Sequence, residues 1–540
     1  MRRMLLIVSL LLLFPMVMSP AWADPRSAST PVQVSDESPF DPGCGLATVG
    51  GEVFLDSEVE PYVDVNPTDL ENMIAIWQQD RWSDGGARGN VAGVTFDGGE
   101  TWEKVTFPNV TTCTGGEFDR ASDPWISFGP DGTAYAMHLV FDAAPPPNRP
   151  GGFGENGMMA QVSHDGGTTW EDPVLLVFEP GGSNLHDKNT LTADPTRPGF
   201  AYAVWDLLDL PEGAAINPQR GTFGGGLGFK GQSLFTRTTD GGETWSEPTR
   251  LYNPGGVNQT IGNQIVVQPS GRLVNVFNEI LNFRNDDQDS QFDFNLALKF
   301  SPDAGETWLP RGRPIRFGDM LPRTLFTPFP FVGVYQPDAD GAETLAGENA
   351  VRTADVIPEV ATDPNNGNLY VVWQDARFSA AEAAGGFGDP TQIIDEVAFT
   401  MSSDGGFTWS APVKINQTPT NIRLANRQAF IPMVRVSDDG TVAVSHYDFR
   451  NNVDDDGVGS TDLFVVHCHP ATEDCASAAS WDEETRVTEA PFDITLAPVA
   501  NGFFPGDYVG FGTDGEDFLP LFTQTGGDGP SDEWFSRVSP

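Results

Sequence analysis

The chain has 540 residues, with 30 basic and 76 acidic side chains, and its formal net charge is −46. A charge of this size argues against nucleic acid, anionic membrane surfaces and polyanionic substrates as partners held by bulk electrostatics. Its 59 glycines and 44 prolines are typical of many short strands joined by turns.

Residues 1–23 have the pattern of a secretory signal. Two arginines precede an apolar stretch from Met4 to Met18, and Ala21-Trp22-Ala23 supplies a small-x-small cleavage site. An uncleaved anchor is the alternative, but the apolar run is short for a membrane span and Pro15 interrupts it. We therefore expect cleavage near Ala23 and a secreted protein, extracellular or periplasmic, without membrane insertion.

Five copies of one short pattern follow along the chain. Each copy reads Ser/Thr-x-Asp-x-Gly-x-Thr-Trp, and the copies begin at Thr95, Ser163, Thr238, Ser301 and Ser402. In a tight β-turn the Asp caps backbone N–H groups, Gly adopts positive φ, and the Trp packs beneath the turn. Repetition at intervals of tens of residues indicates a propeller, a solenoid or an array. The pattern resembles the Asp-box, or BNR, repeat of sialidase-like β-propellers.

Each copy lies in a recurring frame of four predicted strands, between the third and the fourth. In the first unit the strands are expected at residues 61–65, 73–77, 91–94 and 104–107. The fifth unit repeats the frame at residues 358–362, 369–373, 397–400 and 413–415. Two later units keep the frame without the turn pattern, and the last of them lacks a fourth strand. The segment near residues 51–55 is expected to supply that strand and so to close the ring.

The predicted fold is therefore all-β: a β-propeller of four-stranded antiparallel blades, with Asp-box turns between strands 3 and 4. Seven blades are favoured, and six blades, the usual count in sialidases, are the alternative. Residues 24–45 are interpreted as a flexible N-terminal segment, and residues 46–540 as a single propeller domain. Four cysteines in an exported chain are expected to pair. Cys468 and Cys475 flank a short turn, which leaves Cys44 for Cys113.

Polar residues recur at the rim where the second strands end and the first strands begin. They are expected to converge near the central axis, on the face opposite the repeated turns. The candidates are Asp80, Arg81, Asp123, His186, Glu279, Asp375, Arg377, Asp448, Arg450 and Tyr508. Salt bridges between neighbouring blades are the alternative interpretation of the Asp/Arg pairs.

The resemblance to sialidases implies a role for each candidate. Those enzymes hold the substrate carboxylate with an arginine cluster, and they use an Asp as acid/base and a Glu-activated Tyr as nucleophile. Carried over, Asp123 is the acid, and Glu279 activates Tyr508. The substrate-binding residues would be Arg81, Arg377, Arg450, Asp80, His186, Asp375 and Asp448. The family's Arg-Ile-Pro is absent from the first strand, where Pro61-Tyr62-Val63 stands, so Arg81 would reach the site from another loop.

The leading hypothesis is a secreted, monomeric glycoside hydrolase, exo-α-sialidase-like, that acts on a glycan or glycoconjugate. A two-carboxylate glycosidase and a polysaccharide lyase that uses Tyr508 or His186 fit the same residues. A non-catalytic propeller that binds a glycan or a protein is the alternative from another class. Such a binding module would have every arginine bridged to a neighbouring Asp, whereas an enzyme needs one that is not already paired.

No cofactor is expected to be required, although a structural calcium ion is considered. Residues 452–457 resemble the opening of a calcium-binding loop, with Asp454 and Asp456 as candidate ligands. The carboxylate expected six residues after Gly457 is missing, because Leu463 stands there. A solvated acidic loop is the alternative.

Overall fold

The structure is a computed structural model, and its fold is all-β. It describes residues 27–46, 51–144, 153–209, 230–256, 258–282, 292–317, 336–337, 343–344, 351–353, 357–378, 394–453, 458–500 and 502–540. The predicted signal at residues 1–23 lies outside these ranges. Within them, no helix is long and apolar enough to span a membrane.

The strands form antiparallel sheets, divided here into seven groups of four strands that are numbered sheets 1 to 7 in chain order; sheets 1 and 2 are joined by the pairing of Ala87 with Ala121. Sheet 1 contains Glu58–Val65, Met73–Arg81, Ala87–Thr95 and Glu103–Thr106; sheet 2 contains Arg120–Phe128, Ala134–Phe141, Asn156–Ser163 and Val174–Glu179. Sheet 3 contains Asn184–Ala193, Ala201–Asp209, Lys230–Thr238 and Thr249–Tyr252; sheet 4 contains Gln259–Val267, Leu273–Asn282, Phe292–Ser301 and Ile315–Arg316.

The remaining sheets follow the same order. Sheet 5 contains Glu359–Thr362, Leu369–Asp375, Glu396–Ser402 and Val413–Lys414; sheet 6 contains Ala429–Val436, Val442–Asp448, Ser460–Cys468 and Thr485–Arg486, with Phe492–Asp493 added to its third strand. Sheet 7 contains Gly510–Thr513, Phe518–Gln524, Asp532–Phe535 and Val32–Gln33. A separate pair joins Gln336–Pro337 to Glu343–Thr344. Short 3-10 helices occur at Thr112–Thr114, Leu424–Arg427, Ala478–Ser480 and Ile494–Leu496.

The sheets pack on one another through their first strands. The first strand of each sheet contacts the first strand of the next, and that of sheet 7 contacts that of sheet 1. The second strands are buried, and Trp77, Trp205 and Trp373 are among the largest fully buried side chains. Strands covered on both faces favour apolar residues, which explains continuous apolar runs such as residues 73–77 and 369–373.

The repeated pattern forms a turn with the same hydrogen bonds in all five copies. In the first copy, the Thr101 backbone N–H and hydroxyl donate to the two carboxylate oxygens of Asp97, at 2.9 and 2.6 Å. The Gly99 N–H donates to Thr95 Oγ1 at 3.1 Å. The bonds from Thr101 lower the pKa of Asp97 to about 2. The corresponding carboxylates are Asp165, Asp240, Asp303 and Asp404.

The glycine two residues after the Asp of each turn touches the preceding sheet. At Gly305, where φ is +88°, an added Cβ would lie 2.2 Å from Phe235 Cζ of sheet 3. At Gly99 of sheet 1 it would lie 2.3 Å from Phe535 Cε1, which belongs to sheet 7. Glycine is therefore needed here both for positive φ and for close approach between sheets.

The fourth strand of sheet 7 comes from a different segment than predicted. Val32 pairs with Phe535 and Gln33 with Trp534, so the expectation that residues 51–55 supply this strand is wrong. Val53 instead bridges to Trp82, beyond the second strand of sheet 1. The boundary proposed at residue 46, between a flexible segment and the propeller domain, stays a prediction.

Both predicted disulfides are present. Cys44 pairs with Cys113 and Cys468 with Cys475, at sequence separations of 69 and 7 residues. The first ties the N-terminal segment to the loop that follows sheet 1, and the second closes the turn after the third strand of sheet 6.

Candidate functional site

The first strands of five sheets carry a β-bulge at the same position. In each of them the strand register shifts around one residue with positive φ, and these residues are Glu60, Asp123, Lys188, Gly262 and Ile431. A bulge changes the direction in which a side chain points. Each non-glycine residue with positive φ costs about 1–3 kcal/mol, and residues strained in this way are typical of functional sites. The bulges of sheets 1, 2 and 3 thus place three charged residues on neighbouring first strands.

These three residues meet Asp507, which precedes sheet 7, in what we term the carboxylate cluster: Glu60, Asp123, Lys188 and Asp507. Lys188 Nζ lies 2.5 Å from Asp507 Oδ2, 3.2 Å from Asp123 Oδ2 and 3.7 Å from Glu60 Oε1. The residues are 1% (Glu60), 3% (Asp123) and 6% (Asp507) exposed. One largely buried ammonium group therefore joins three carboxyl groups, from sheets 1 and 2 and from the segment that precedes sheet 7.

Two arginines flank the cluster. Arg352 Nη2 lies 3.1 Å from Asp507 Oδ2, and Arg81 Nη1 donates to Gln78 Oε1 at 3.1 Å. Both guanidinium groups lie over the ring of Phe504, at 4.4 and 4.8 Å from its centroid. Among the described residues, Arg81 Nε is buried without a hydrogen-bond partner. Burial lowers the pKa of Arg81 to about 10, so it remains a cation at neutral pH.

The two ends of the cluster differ in protonation. Burial raises the pKa of Glu60 to about 8, although Lys188 opposes this shift. Burial alone would also raise the pKa of Asp507, but the charges of Arg352 and Lys188 outweigh it and hold that pKa below its ordinary value. The Asp507 N–H donates to Glu60 Oε1 at 3.2 Å. At neutral pH a protonated Glu60 thus adjoins an ionised Asp507, the arrangement that separates an acid from a base.

Predicted residues Asp123 and Tyr508 lie at this cluster. Asp123 Oδ1 accepts a hydrogen bond from Ser122 Oγ at 2.7 Å. The Tyr508 hydroxyl donates to the backbone carbonyl of Pro124 at 3.0 Å, and its ring meets Trp125 edge-on. Burial, together with the nearby carboxylates of Asp123 and Asp507, raises the pKa of Tyr508 well above its ordinary value, so the phenol is neutral.

Glu279 lies elsewhere, in contact with sheets 3 and 4. It accepts hydrogen bonds from the Tyr252 hydroxyl at 2.5 Å and from Arg316 Nε at 2.6 Å. Predicted residue His186 accepts a bond from Trp205 Nε1 at 2.9 Å. Burial lowers the pKa of His186 to about 4, so it is neutral. Neither Glu279 nor His186 is among the described contacts of the cluster.

The other predicted residues form short ion pairs within single sheets. The pairs are Arg377 with Asp375 at 2.7 Å, Arg450 with Asp448 at 2.5 Å, and Arg88 with Asp80 at 2.9 Å. Arg450 also meets Glu484 at 2.6 Å. Each pair lies within one sheet and not between neighbouring sheets. Arg377 and Arg450 therefore have the bridged state expected of arginines in a binding module.

The predicted calcium ligands Asp454 and Asp456 lie outside the described residues. Within the described part of the chain, no group of three or more His, Cys, Asp or Glu side chains could hold a metal ion.

The sequence analysis missed Glu60, Lys188 and Arg352. One signal could have located the bulges, since proline directly follows the left-handed residue in three of them: Glu60-Pro61, Asp123-Pro124 and Ile431-Pro432. The simple alternation of side chains along a strand fails at a bulge, and this hid the orientation of Glu60 and Lys188.

No protein-family model matches the chain, and no curated protein matches it. Three solved structures illustrate its similarities. A protein of unknown function from Dyadobacter fermentans is 13% identical, with 91% of this chain and 97% of that chain covered and a TM-score of 0.42. The Penicillium chrysogenum alpha-L-arabinanase is 14% identical, with 78% of this chain and 94% of that chain covered and a TM-score of 0.42. The Hadza microbial sialidase Hz136 is 13% identical, with 86% of this chain and 76% of that chain covered and a TM-score of 0.43.

Proposed function

We propose that the protein is a seven-bladed β-propeller and a secreted glycoside hydrolase whose carboxylate cluster acts on a glycan. The propeller is supported by first strands that contact one another in cyclic order, from sheet 1 to sheet 7 and back to sheet 1. In that arrangement the first strands line the central axis, and the bulges place the cluster beside it.

One observation carries the proposed activity: the backbone N–H of Asp507 donates to Glu60 Oε1 at 3.2 Å, so a carboxyl group whose pKa is raised by burial to about 8 lies beside a residue whose carboxylate pKa lies below its ordinary value. Glycoside hydrolysis needs a carboxylic acid that protonates the leaving oxygen and a carboxylate that activates water or attacks the sugar. We assign Glu60 as the general acid and Asp507 as the carboxylate. Lys188 and Arg352 keep Asp507 ionised, and Asp123 is a second carboxylate beside Lys188.

Arg81 extends the proposal toward acidic sugars. It lies beside the cluster with Nε unbonded among the described residues, and a guanidinium group matches a carboxylate through paired donors. A sialoside is therefore the first substrate to test. The sialidase-like assignment of Tyr508 as nucleophile stays a prediction, and so does the role of Glu279 as its activator.

The test is hydrolysis of a panel of fluorogenic glycosides that includes sialosides and arabinofuranosides. We expect Glu60→Gln to lower kcat at least about 100-fold, the range for loss of a general acid. Glu58→Gln is the matched control, because Glu58 is equally buried on the same strand, and burial raises its pKa too. Activity that survives Glu60→Gln would contradict the assignment.

Tyr508→Phe separates the two glycosidase mechanisms. If the carboxylates perform the chemistry, this variant keeps activity within about tenfold, since it removes only a hydrogen bond to Pro124. Abolished sialoside turnover would instead establish Tyr508 as the nucleophile.

A non-catalytic glycan-binding propeller is the second candidate, and the bridged state of Arg377 and Arg450 favours it. Wild-type protein that is silent on the panel, and that yields no unsaturated product from polysaccharides, would support this function. An unsaturated product would indicate a lyase.

A further inference from the structure

A cavity of about 770 Å³ lies between the outer strands of sheets 3 and 4. It is separate from the contacts that define the carboxylate cluster. Its wall includes Arg250 from the last strand of sheet 3, Lys299 from the third strand of sheet 4, and Arg311, Arg313 and Arg316 around the last strand of sheet 4.

The cavity concentrates positive charge in a strongly acidic protein. Five of the chain's 30 basic residues line it, whereas Glu279 is the one acidic residue among the described lining residues. Arg316 meets that carboxylate at 2.6 Å. For Arg250, Arg311 and Arg313 no ion pair occurs within the described part of the chain, and all three are exposed. The local charge therefore favours an anion, opposite to the net charge of −46.

Lys299 adds a cation held in place by the backbone. Its Nζ donates to the carbonyls of Pro310 at 2.6 Å and Gly312 at 3.0 Å. These bonds tie the strand to the loop that carries Arg311 and Arg313, so the arginines are presented from an anchored segment. Burial lowers the pKa of Lys299 to about 8, and it therefore remains mostly charged at neutral pH.

The other lining residues indicate a sugar and not a bare anion. Tyr252 and Trp308 supply aromatic surface, and Asn253 and Asn258 supply amide groups, which also donate to Gln232 Oε1 at 3.3 Å and to the Pro254 carbonyl at 3.4 Å. A volume near 770 Å³ is in the range of small-molecule sites, far larger than one inorganic ion requires. Aromatic walls, amides and forked guanidinium donors together fit a short saccharide that bears a carboxylate or a sulfate.

We propose that this cavity binds an anionic saccharide unit at a site distinct from the carboxylate cluster. Binding in this cavity needs none of the cluster residues, so it is a property additional to the proposed hydrolase activity. It gives the protein a second place to hold a glycan chain.

Isothermal titration calorimetry with a galacturonate disaccharide, a sulfated galactose disaccharide, the neutral galactose disaccharide and inorganic phosphate tests the proposal. We expect at least one anionic disaccharide to bind at least about tenfold more tightly than the neutral one, the range for one charge-assisted contact. Preference for galacturonate identifies a carboxylate as the ligand group, and preference for the sulfated sugar identifies a sulfate.

The double variant Arg311→Ala/Arg313→Ala should weaken that binding at least about tenfold. Both positions are exposed, so the fold should persist, and thermal unfolding checks this. Lys230→Ala is the matched control, since it removes an exposed cation of sheet 3 that is not among the lining residues.

Four results would overturn the inference: no anionic preference, unchanged binding by the double variant, phosphate binding as tight as either anionic sugar, or loss of binding in Glu60→Gln. The last result would assign the sugar to the carboxylate cluster. Retained binding in Glu60→Gln, even in a protein silent on the glycoside panel, supports the cavity independently of the hydrolase proposal.

Discussion

Lys188 is the residue on which the carboxylate cluster depends electrostatically. Its ammonium group lies within 3.7 Å of three buried carboxyl groups, from Glu60, Asp123 and Asp507. Burial alone would lower the pKa of Lys188, but these carboxylates raise it well above the ordinary value. A buried ion group of this kind contributes little net stability, yet removal of one member leaves uncompensated charge.

We expect Lys188→Met to lower the free energy of unfolding at pH 7 by about 3–5 kcal/mol. At pH 5 the loss should be smaller, because carboxyl groups deprived of the ammonium group take up protons and stop repelling one another. Denaturant unfolding at both pH values measures this. Lys104→Met is the control: Lys104 pairs with exposed Asp36, and a surface pair is worth about 0–1 kcal/mol. An equal loss at both pH values would show that the effect is one of packing.

Some residues of the carboxylate cluster and its surroundings could be predicted from the sequence, and others could not. Arg81 and Tyr508 could be predicted to lie near the axis because each stands at or beside a strand end whose position follows from the repeat. Glu60 and Lys188 could not, because a bulge reverses the face on which a side chain emerges and the alternation rule assumes a regular strand.

The repeated turn of one sheet packs against the preceding sheet. Its Asp carboxylate holds the turn, and its second glycine leaves room for a side chain of the neighbouring sheet. The turn of sheet 3 allows a direct comparison, since Gly241 and Gly242 both have positive φ, +82° and +93°. An added Cβ has open space at Gly241 but lies 2.3 Å from Val162 Cγ2 at Gly242.

Gly242→Ala should therefore destabilise the protein by about 1–3 kcal/mol more than Gly241→Ala, the cost of overpacking. The strain of positive φ is shared by both variants and cancels in the comparison. Thermal or urea unfolding of the two variants measures the difference. Equal stabilities would mean that the neighbouring sheet moves away freely and that the turn does not contribute to packing between sheets.

The strands and turns were predictable because each has a sequence pattern. The strands show alternating or continuous apolar residues, and the turns show Asp, Gly and Trp at fixed spacing. The strand Val32–Gln33 has none, since two residues are too few to show a pattern. Its place beside Phe535 and Trp534 is decided by tertiary contact, which explains why residues 51–55 were preferred wrongly.

For the whole molecule, buried acidic groups make stability depend on pH. Burial raises the pKa of Glu359 and of Asp395 to about 7, and that of Asp532 to about 6. The folded state therefore retains these protons at pH values where the unfolded chain, with ordinary carboxyl pKa values, has released them. The stabilisation from these three groups is complete below the ordinary carboxyl pKa values and is lost as the pH rises through about 6 to 7.

We expect the free energy of unfolding to be higher at pH 5 than at pH 8, by about 2–3 kcal/mol for each of Glu359 and Asp395 and by about 1 kcal/mol for Asp532. Repulsion within a chain of charge −46 acts in the same direction. Further acidification should reverse the trend, because Asp97 and Glu484 have pKa values lowered to about 2 and lose their stabilisation as they protonate. Urea unfolding between pH 3 and 9 tests this, and a maximum above pH 8 would contradict it.

The contacts between sheets 7 and 1 have a consequence for how the chain folds. The turn at Gly99 packs on Phe535, and Val32 pairs with the same residue, so sheet 1 is covered on that side only by residues far along the chain. Sheets 2 to 6 can each pack on the sheet that precedes them, whereas sheet 1 stays uncovered on one side until sheet 7 forms. The folding chain therefore exposes its first sheet longest, and that sheet is where a chaperone has most to protect.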